Sequence, residues 1–247
     1  MLNNHKQPLV SVVIPTCNRP ILFERALKSV LKQKYDNFEI IIIDDGSMEL
    51  VKDICDKYKN ENLIYIVNKV NLGGAESRNI GINISNGKYI AFLDDDDVWL
   101  PHKINKQVKL LESNNNIVAV TSWFYHVIGN HIIKRKMIHN ISYKHLLWTN
   151  FCGGFSLCMV RNKCAKKIII EPTLKKGQDW YFWSLLSKLG SIKVIPDYLI
   201  KFYDHEENRI SNINYHIALR SQRKIYFHFN KDMSSECRQY HLRKFIF

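Results

Sequence analysis

Apolar residues along this chain fall in short continuous runs separated by stretches of helical spacing. Leu9 to Ile14 is a β-branched run closed by Pro15 and predicts a buried strand. From Pro20 to Gln33, Leu22, Ala26, Leu27, Val30 and Leu31 recur at helical spacing, with Pro20 suited to a first turn. Glu39 to Ile43 predicts a second buried strand, and Leu50, Val51, Ile54 and Tyr58 mark a second helix. Leu63 to Val67 reads as a strand, and Ala75 to Ser85 as a helix stopped by Asn86-Gly87. A fourth strand follows at Tyr89 to Leu93, then a helix from His102 to Glu112 with Pro101 near its start.

Strands that are apolar throughout, alternating with helices, predict an α/β fold with a mostly parallel, Rossmann-like sheet covered on both faces. Ligands of such sheets bind beyond the carboxyl ends of the strands. Those ends carry Pro15-Thr16, Asp44-Asp45 and Asp94 to Asp97. The second half is less regular. Ile117 to Ile128 predicts a strand, with Gly129-Asn130 as a hairpin turn into His131-Ile132-Ile133. Phe151 to Val160 predicts a core strand, and Asp179 to Leu189 a helix. Ile192 to Ile195 and Tyr198 to Tyr203 read as two strands around Pro196, and the chain from about Ile213 as helical, basic and aromatic. The expected organisation is a domain over 1–211, with a binding half at 8–112 and a mixed half at 113–211, followed by a helical tail at 212–247.

Composition narrows the classes. The 247 residues are 46% hydrophobic, ample for a core and unlike a disordered chain. No run of about 18 apolar residues occurs, which predicts no spanning helix. The polar start, Met1 to Pro8, lacks the apolar region of a secretory signal, so a cytoplasmic protein is expected. Cysteines at 17, 55, 152, 158, 164 and 237 form no C-x-x-C pair and predict free, mostly buried thiols. The net charge of +13 is concentrated in the second half, where it suits an anionic substrate, a lipid surface or nucleic acid.

Candidate chemistry centres on Asp94 to Asp97. Four adjacent carboxylates need a cation, hydrogen-bond donors or water to stay ionised. At the mouth of a buried strand they suggest a hard divalent metal shared with a phosphorylated substrate. A dehydrogenase-type G-x-G-x-x-G is absent after the first strand, where Pro15-Thr16-Cys17-Asn18-Arg19 stands, and so is a P-loop. No nucleic-acid motif occurs, and an edge of carboxylates would repel phosphates without a metal.

Val12-Val13-Ile14-Pro15-Thr16-Cys17-Asn18-Arg19, Ile43-Asp44-Asp45-Gly46-Ser47, Asn71-Leu72-Gly73 with Ala75, Arg78-Asn79 and Gly81, and Phe92-Leu93-Asp94-Asp95-Asp96-Asp97-Val98-Trp99 stand in order. Together they resemble the successive signatures of family 2 glycosyltransferases with the GT-A fold, such as those of bacterial surface-polysaccharide (O-antigen or capsule type) assembly. The resemblance implies that Pro15, Thr16, Arg19 and Asp45 line the nucleotide pocket. A carboxylate such as Asp45 can accept from the imide N–H of uracil; the alternative is a turn residue in Asp-Asp-Gly-Ser. Arg78 is then placed to meet the diphosphate or the neighbouring carboxylates. Asp96 is implied as principal ligand of Mn²⁺ or Mg²⁺. Asp94 and Asp95 assist at the metal or the ribose, and Asp97 caps the following helix or holds the loop.

Gly177-Gln178-Asp179-Trp180-Tyr181-Phe182 resembles the family's segment at the acceptor site, where an acidic pair usually stands. Gln178 replaces the first acid, leaving Asp179 as the candidate base; an N-cap role is the alternative. Trp180 and Gln178 are implied to contact the sugar, whereas Trp99, Trp148 and Trp183 are assigned to the core. Tyr203 to Ser211 resembles the family's last motif, in which His205 touches the diphosphate or the metal. The implied activity is inverting hexosyl transfer from a nucleotide sugar, UDP-linked by preference, to a saccharide or lipid-diphosphate-linked acceptor. The basic aromatic tail suits an anionic membrane surface, with a packed helix pair as the alternative. A non-catalytic carbohydrate-binding module, kept open by Gln178, and a nucleotidyltransferase are the rival readings.

Overall fold

The computed structural model describes residues 7–47, 50–58, 62–204 and 214–245. The first half runs β1 (Val10–Thr16), α1 (Pro20–Leu31), β2 (Phe38–Asp44), α2 (Leu50–Lys57), β3 (Leu63–Val67), α3 (Gly74–Ile84), β4 (Tyr89–Phe92), β5 (Val98–Trp99) and α4 (Lys103–Ser113). The second half runs β6 (Ile117–Ile128), β7 (His131–Arg135), β8 (Asn140–Ile141), α5 (Tyr143–Trp148), a 3-10 turn (Phe155–Leu157), β9 (Met159–Arg161), α6 (Asn162–Ala165), α7 (Gln178–Leu186) and β10 (Ser191–Asp204). Helices α8 (Tyr215–Phe229) and α9 (Ser235–Arg243) follow.

One sheet carries the order β3-β2-β1-β4-β9-β6-β10-β5, with β7 beside β6 and β8 beside β10. The β3-β2-β1-β4 half is parallel throughout. Strand β9 runs antiparallel to β4 and β6 and joins that half to the parallel pair β6–β10. This is the expected α/β architecture, with a parallel half followed by a mixed half. Strand β1 lies between β2 and β4 and is buried along its whole length, which is why its side chains are apolar on both faces. Helix α3 crosses β1 at Gly81, where a Cβ would collide with Val13 Cγ1. The missing side chain lets the helix lie close on the sheet.

Two expectations for the second half are corrected. Phe151 to Val160 is not one strand. Gly153 adopts φ +75°, and the Asn150 amide oxygen accepts from Cys152 N at 3.0 Å and Gly153 N at 3.1 Å, turning the chain. Only Met159–Arg161 is extended; Phe155–Leu157 packs its apolar residues as a 3-10 turn. Conversely, the segments on either side of Pro196 form one long strand, β10. Its register against β6 shifts at Ile195/Tyr198 and again at Tyr198/Lys201, and such irregularity accommodates a proline that cannot donate.

The main core includes Phe92, Phe155, Phe182 and Trp183, whose rings contact edge-on or tilted at centroid distances from 5.0 to 6.1 Å. This cluster fixes α7 against β4 and the 3-10 turn. Truncating one such ring costs about 3–5 kcal/mol in typical cores. A second apolar cluster, Leu147, Leu174, Ile225, Tyr226, Phe229, Met233 and Cys237, docks α8 and α9 onto α5 and the loop before α7. Tyr226 and Phe229 of the tail are therefore core residues, while Phe227 is exposed. Cys152, Cys158 and Cys164 are buried thiols. Among the described residues, no helix is long and apolar enough to cross a membrane.

Candidate active site

The carboxyl ends of β1, β2 and β4 converge, as parallel strands must when their register is matched. Asp45 N donates to Thr16 O at 2.8 Å, Leu93 N to Val13 O at 3.0 Å, and Thr16 Oγ1 to Asp95 Oδ2 at 2.8 Å. Above this edge opens a cavity of about 810 Å³. One wall carries Pro15, Thr16, Arg19, Asp45, Arg78, Asp94, Asp95 and Asp96; the other carries Asn150, Gln178, Asp179 and Trp180. Every described residue expected at the site lies on this cavity. His205 lies outside the described residues.

Asp45 holds the loop before α3. Its carboxylate accepts from Leu72 N at 2.8 Å, Gly73 N at 2.7 Å and Asn68 Nδ2 at 2.8 Å. Asp44, by contrast, makes the turn contact, accepting from Ser47 N at 2.7 Å and Tyr65 Oη at 2.6 Å. Asp45 thus shapes the pocket floor through the glycine loop as well as bordering the cavity.

The four consecutive aspartates are not equivalent. Asp94 pairs with the buried Arg78 guanidinium, which also donates to Gly74 O at 2.8 Å and lies 4.4 Å from the Phe155 ring centroid. Asp95 is 1% exposed and is engaged by Thr16 and by Arg19 at 2.7 Å. Burial pushes its pKa up to about 7, against the pull of Arg19. Asp96 pairs with Arg19 at 3.3 Å, while its carbonyl accepts from Arg25. Asp97 is fully buried, and burial raises its pKa well above the carboxylate range. Of the two roles expected for Asp97, the loop role holds and the helix cap does not: the N-cap of α4 is His102, without a side-chain cap, while Asp97 Oδ1 accepts from Tyr203 N at 3.2 Å and ties the loop to β10.

Asp94 and Asp96 therefore face the cavity with hard oxygen ligands, held by two guanidiniums. Among the described residues no three His, Cys, Asp or Glu side chains cluster around one metal position. A pair of carboxylates fits a cation such as Mg²⁺ or Mn²⁺ that takes its remaining ligands from water and substrate phosphates.

Asp179 stands across the cavity in the first turn of α7. The N-cap is Gly177, in the left-handed region at φ +77°, so Asp179 is not itself the N-cap, although its carboxylate takes up one first-turn N–H. Its Oδ1 accepts from Trp180 N at 2.8 Å and its Oδ2 from Asn150 Nδ2 at 2.9 Å. Burial pushes its pKa up to about 6, moderated by the Trp180 N–H. That is a useful value for a proton acceptor near neutrality. Asn150 escaped sequence reading. Two backbone N–H groups occupy its amide oxygen, which forces its NH₂ toward Asp179. An Asn three residues ahead of Gly153-Gly154 could have flagged the turn, but nothing local marks its contact 29 residues on.

Gln178 lines the cavity with its amide folded back to Leu174 O at 2.7 Å. One face of Trp180 stacks on His241 at 5.8 Å, and its Nε1 donates to Leu146 O. The core assignment holds for Trp99 and Trp183, which are buried. It is corrected for Trp148, which is 37% exposed, borders the cavity and packs on Tyr240 at 5.4 Å. Trp148 ends α5, where α9 covers only one of its faces.

Comparison with known proteins places this geometry. A family model described as Glycosyl transferase family 2 matches residues 11–169. An uncharacterized glycosyltransferase of Methanocaldococcus jannaschii is 31% identical over 238 residues, 93% of this chain and 80% of that protein. The UDP-Glc:alpha-D-GlcNAc-diphosphoundecaprenol beta-1,3-glucosyltransferase WfgD of Escherichia coli is 29% identical over 189 residues, 76% of this chain and 73% of that enzyme. S. aureus TarS 1-349, solved in complex with UDP-GlcNAc, superposes with a TM-score of 0.78 over 96% of this chain and 71% of its own. At 20% identity, what TarS shares is the fold.

Proposed function

The chain belongs to glycosyl transferase family 2, and from that premise we propose an inverting, metal-dependent hexosyltransferase that uses a UDP-sugar. The acceptor is a hydroxyl of a saccharide or lipid-diphosphate-linked sugar in surface-polysaccharide assembly. One observation carries the reading: Asp94 and Asp96, each bound to an arginine, face a half-buried carboxylate with a raised pKa across a single cavity. The reaction of WfgD, as its name states it, supports the donor and acceptor classes.

Asp94 and Asp96 would hold Mn²⁺ or Mg²⁺ together with the donor phosphates, and the bound cation supplies Lewis-acid stabilisation of the departing nucleoside diphosphate. Arg19 and Arg78 add positive charge on the same side, where negative charge builds as the sugar departs. Asp179, held at Oδ2 by Asn150, accepts the proton from the acceptor hydroxyl as that oxygen attacks the anomeric carbon. Gln178 in place of a second acid leaves this step to one carboxylate.

A thermal-unfolding screen of nucleotide sugars, with and without Mn²⁺, tests the donor site. A ligand at 100 times its Kd adds about 2.7 kcal/mol, roughly 5–10 °C for a chain of this size. A UDP-sugar should give such a shift with Mn²⁺, and Asp96→Ala should abolish it. An equal shift in Asp96→Ala would sink the metal assignment.

A further inference from the structure

The cavity has two chemically different ends. At the end formed by the strand tips, arginines and carboxylates neutralise one another: Arg19 with Asp95 and Asp96, Arg78 with Asp94. At the other end, three lysines line the wall, Lys175 and Lys176 from the loop before α7 and Lys244 from the end of α9. Among the described residues, neither Lys175 nor Lys244 pairs with a carboxylate. The Lys244 ammonium lies 4.1 Å from the Tyr240 ring centroid. Asp179 is the only carboxylate lining this half of the cavity among the described residues, and its oxygens are taken up by Asn150 and Trp180 N.

The lysines are held in place by the fold. The amides of Lys175 and Lys176 both donate to the buried Ser221 Oγ of α8, at 3.1 and 3.3 Å. The left-handed turn at Gly177 then packs against Ile225, where a Cβ would sit 3.0 Å from Ile225 Cδ1. Lys244 comes from the helix that covers Trp180 and Trp148. Cations from two separate elements thus border one opening, next to exposed apolar surface at Trp148.

We propose that Lys175, Lys176 and Lys244 form an anion subsite that takes the diphosphate of a lipid-diphosphate-linked acceptor. The proposal rests on the glycosyl-transfer reading for its orientation: an acceptor sugar whose hydroxyl meets Asp179, with the donor at the arginine end, directs its own diphosphate toward the lysine end. Two adjacent phosphates match cations spread over two elements. The exposed Trp148, which borders the cavity, offers the first apolar contact to the lipid.

Equilibrium binding of geranyl diphosphate tests it, with saturating UDP and Mn²⁺ present so that the donor end is filled, and again without UDP. The wild type should bind geranyl diphosphate under both conditions. The triple variant Lys175→Gln, Lys176→Gln, Lys244→Gln should lose at least tenfold in that affinity while keeping its UDP affinity. Unchanged binding in the triple variant, or binding abolished by UDP, would overturn the subsite. Equal affinity for inorganic pyrophosphate would replace the lipid-linked ligand with a free diphosphate. Equal affinity for geraniol would show that charge is not read at all. Failure of the glycosyl-transfer reading has a separate signature, the absence of UDP binding to the wild type.

Discussion

Asp179→Asn separates chemistry from binding. Burial raises the Asp179 pKa from an ordinary 3.8 to about 6. A rise of roughly two units disfavours the ionised form in the folded chain by about 3 kcal/mol. The sign follows from linkage: the unfolded chain loses this proton near pH 4 and the folded chain near pH 6. The residue therefore destabilises the fold progressively as pH rises between those values and by a constant amount above them. Asparagine removes that cost but offers one acceptor where Asn150 and Trp180 N require two, a loss of about 1–3 kcal/mol. The two effects nearly cancel at pH 7, so Tm should change little while the pH-dependent loss of stability between pH 4 and 6 is reduced. Turnover should fall by roughly 10²–10⁴, the usual worth of a general base. In the wild type, kcat should rise with pH below about 6 and level above it; in the variant this limb should vanish. Initial rates of UDP release from pH 5 to 8, with donor affinity measured in parallel, provide the assay. A variant that keeps near wild-type kcat, or a wild-type profile flat across that range, would refute Asp179 as the base.

Three further substitutions test the partner of Asp179 and the packing that carries the site. Asn150→Asp would put a second carboxylate against Asp179, and the acid limb of the kcat profile should move to higher pH, because two close carboxylates resist joint ionisation. Gly81→Ala should lower Tm, since its Cβ meets Val13 in a filled core, at a cost of about 1–3 kcal/mol with donor contacts untouched. Asp97→Asn keeps an acceptor for Tyr203 N and removes a buried carboxylate whose pKa burial holds high, so Tm should rise, and more at pH 8 than at pH 4. Differential scanning calorimetry without added metal checks both stability effects.

The strand-end half of the site was legible because parallel strands buried on both faces carry uninterrupted apolar runs, and their polar ends mark the binding edge. Pro15, Asp45 and Asp94 fall together at the ends of three apolar runs, β1, β2 and β4. Roles within the aspartate run were less legible. Which carboxylate faces the cavity depends on Arg19, Thr16 and Tyr203, and Tyr203 lies 106 residues from Asp97. The acceptor side was the least legible. Phe151 to Val160 is as apolar as a strand, and only the turn made by Asn150 and Gly153 separates a 3-10 turn from an extended one. The lysine end required α9 to fold back over α5 and α7, a contact made through Leu147, Cys237 and His241 with no local periodic signature.

The central claim is transfer of a sugar from a UDP donor with inversion at its anomeric carbon. NMR of the product formed from an α-linked UDP-hexose, an acceptor and Mn²⁺ tests it most directly. The account predicts a β-configured glycoside with release of UDP. An α-configured product, or release of UMP or pyrophosphate in place of UDP, would contradict it.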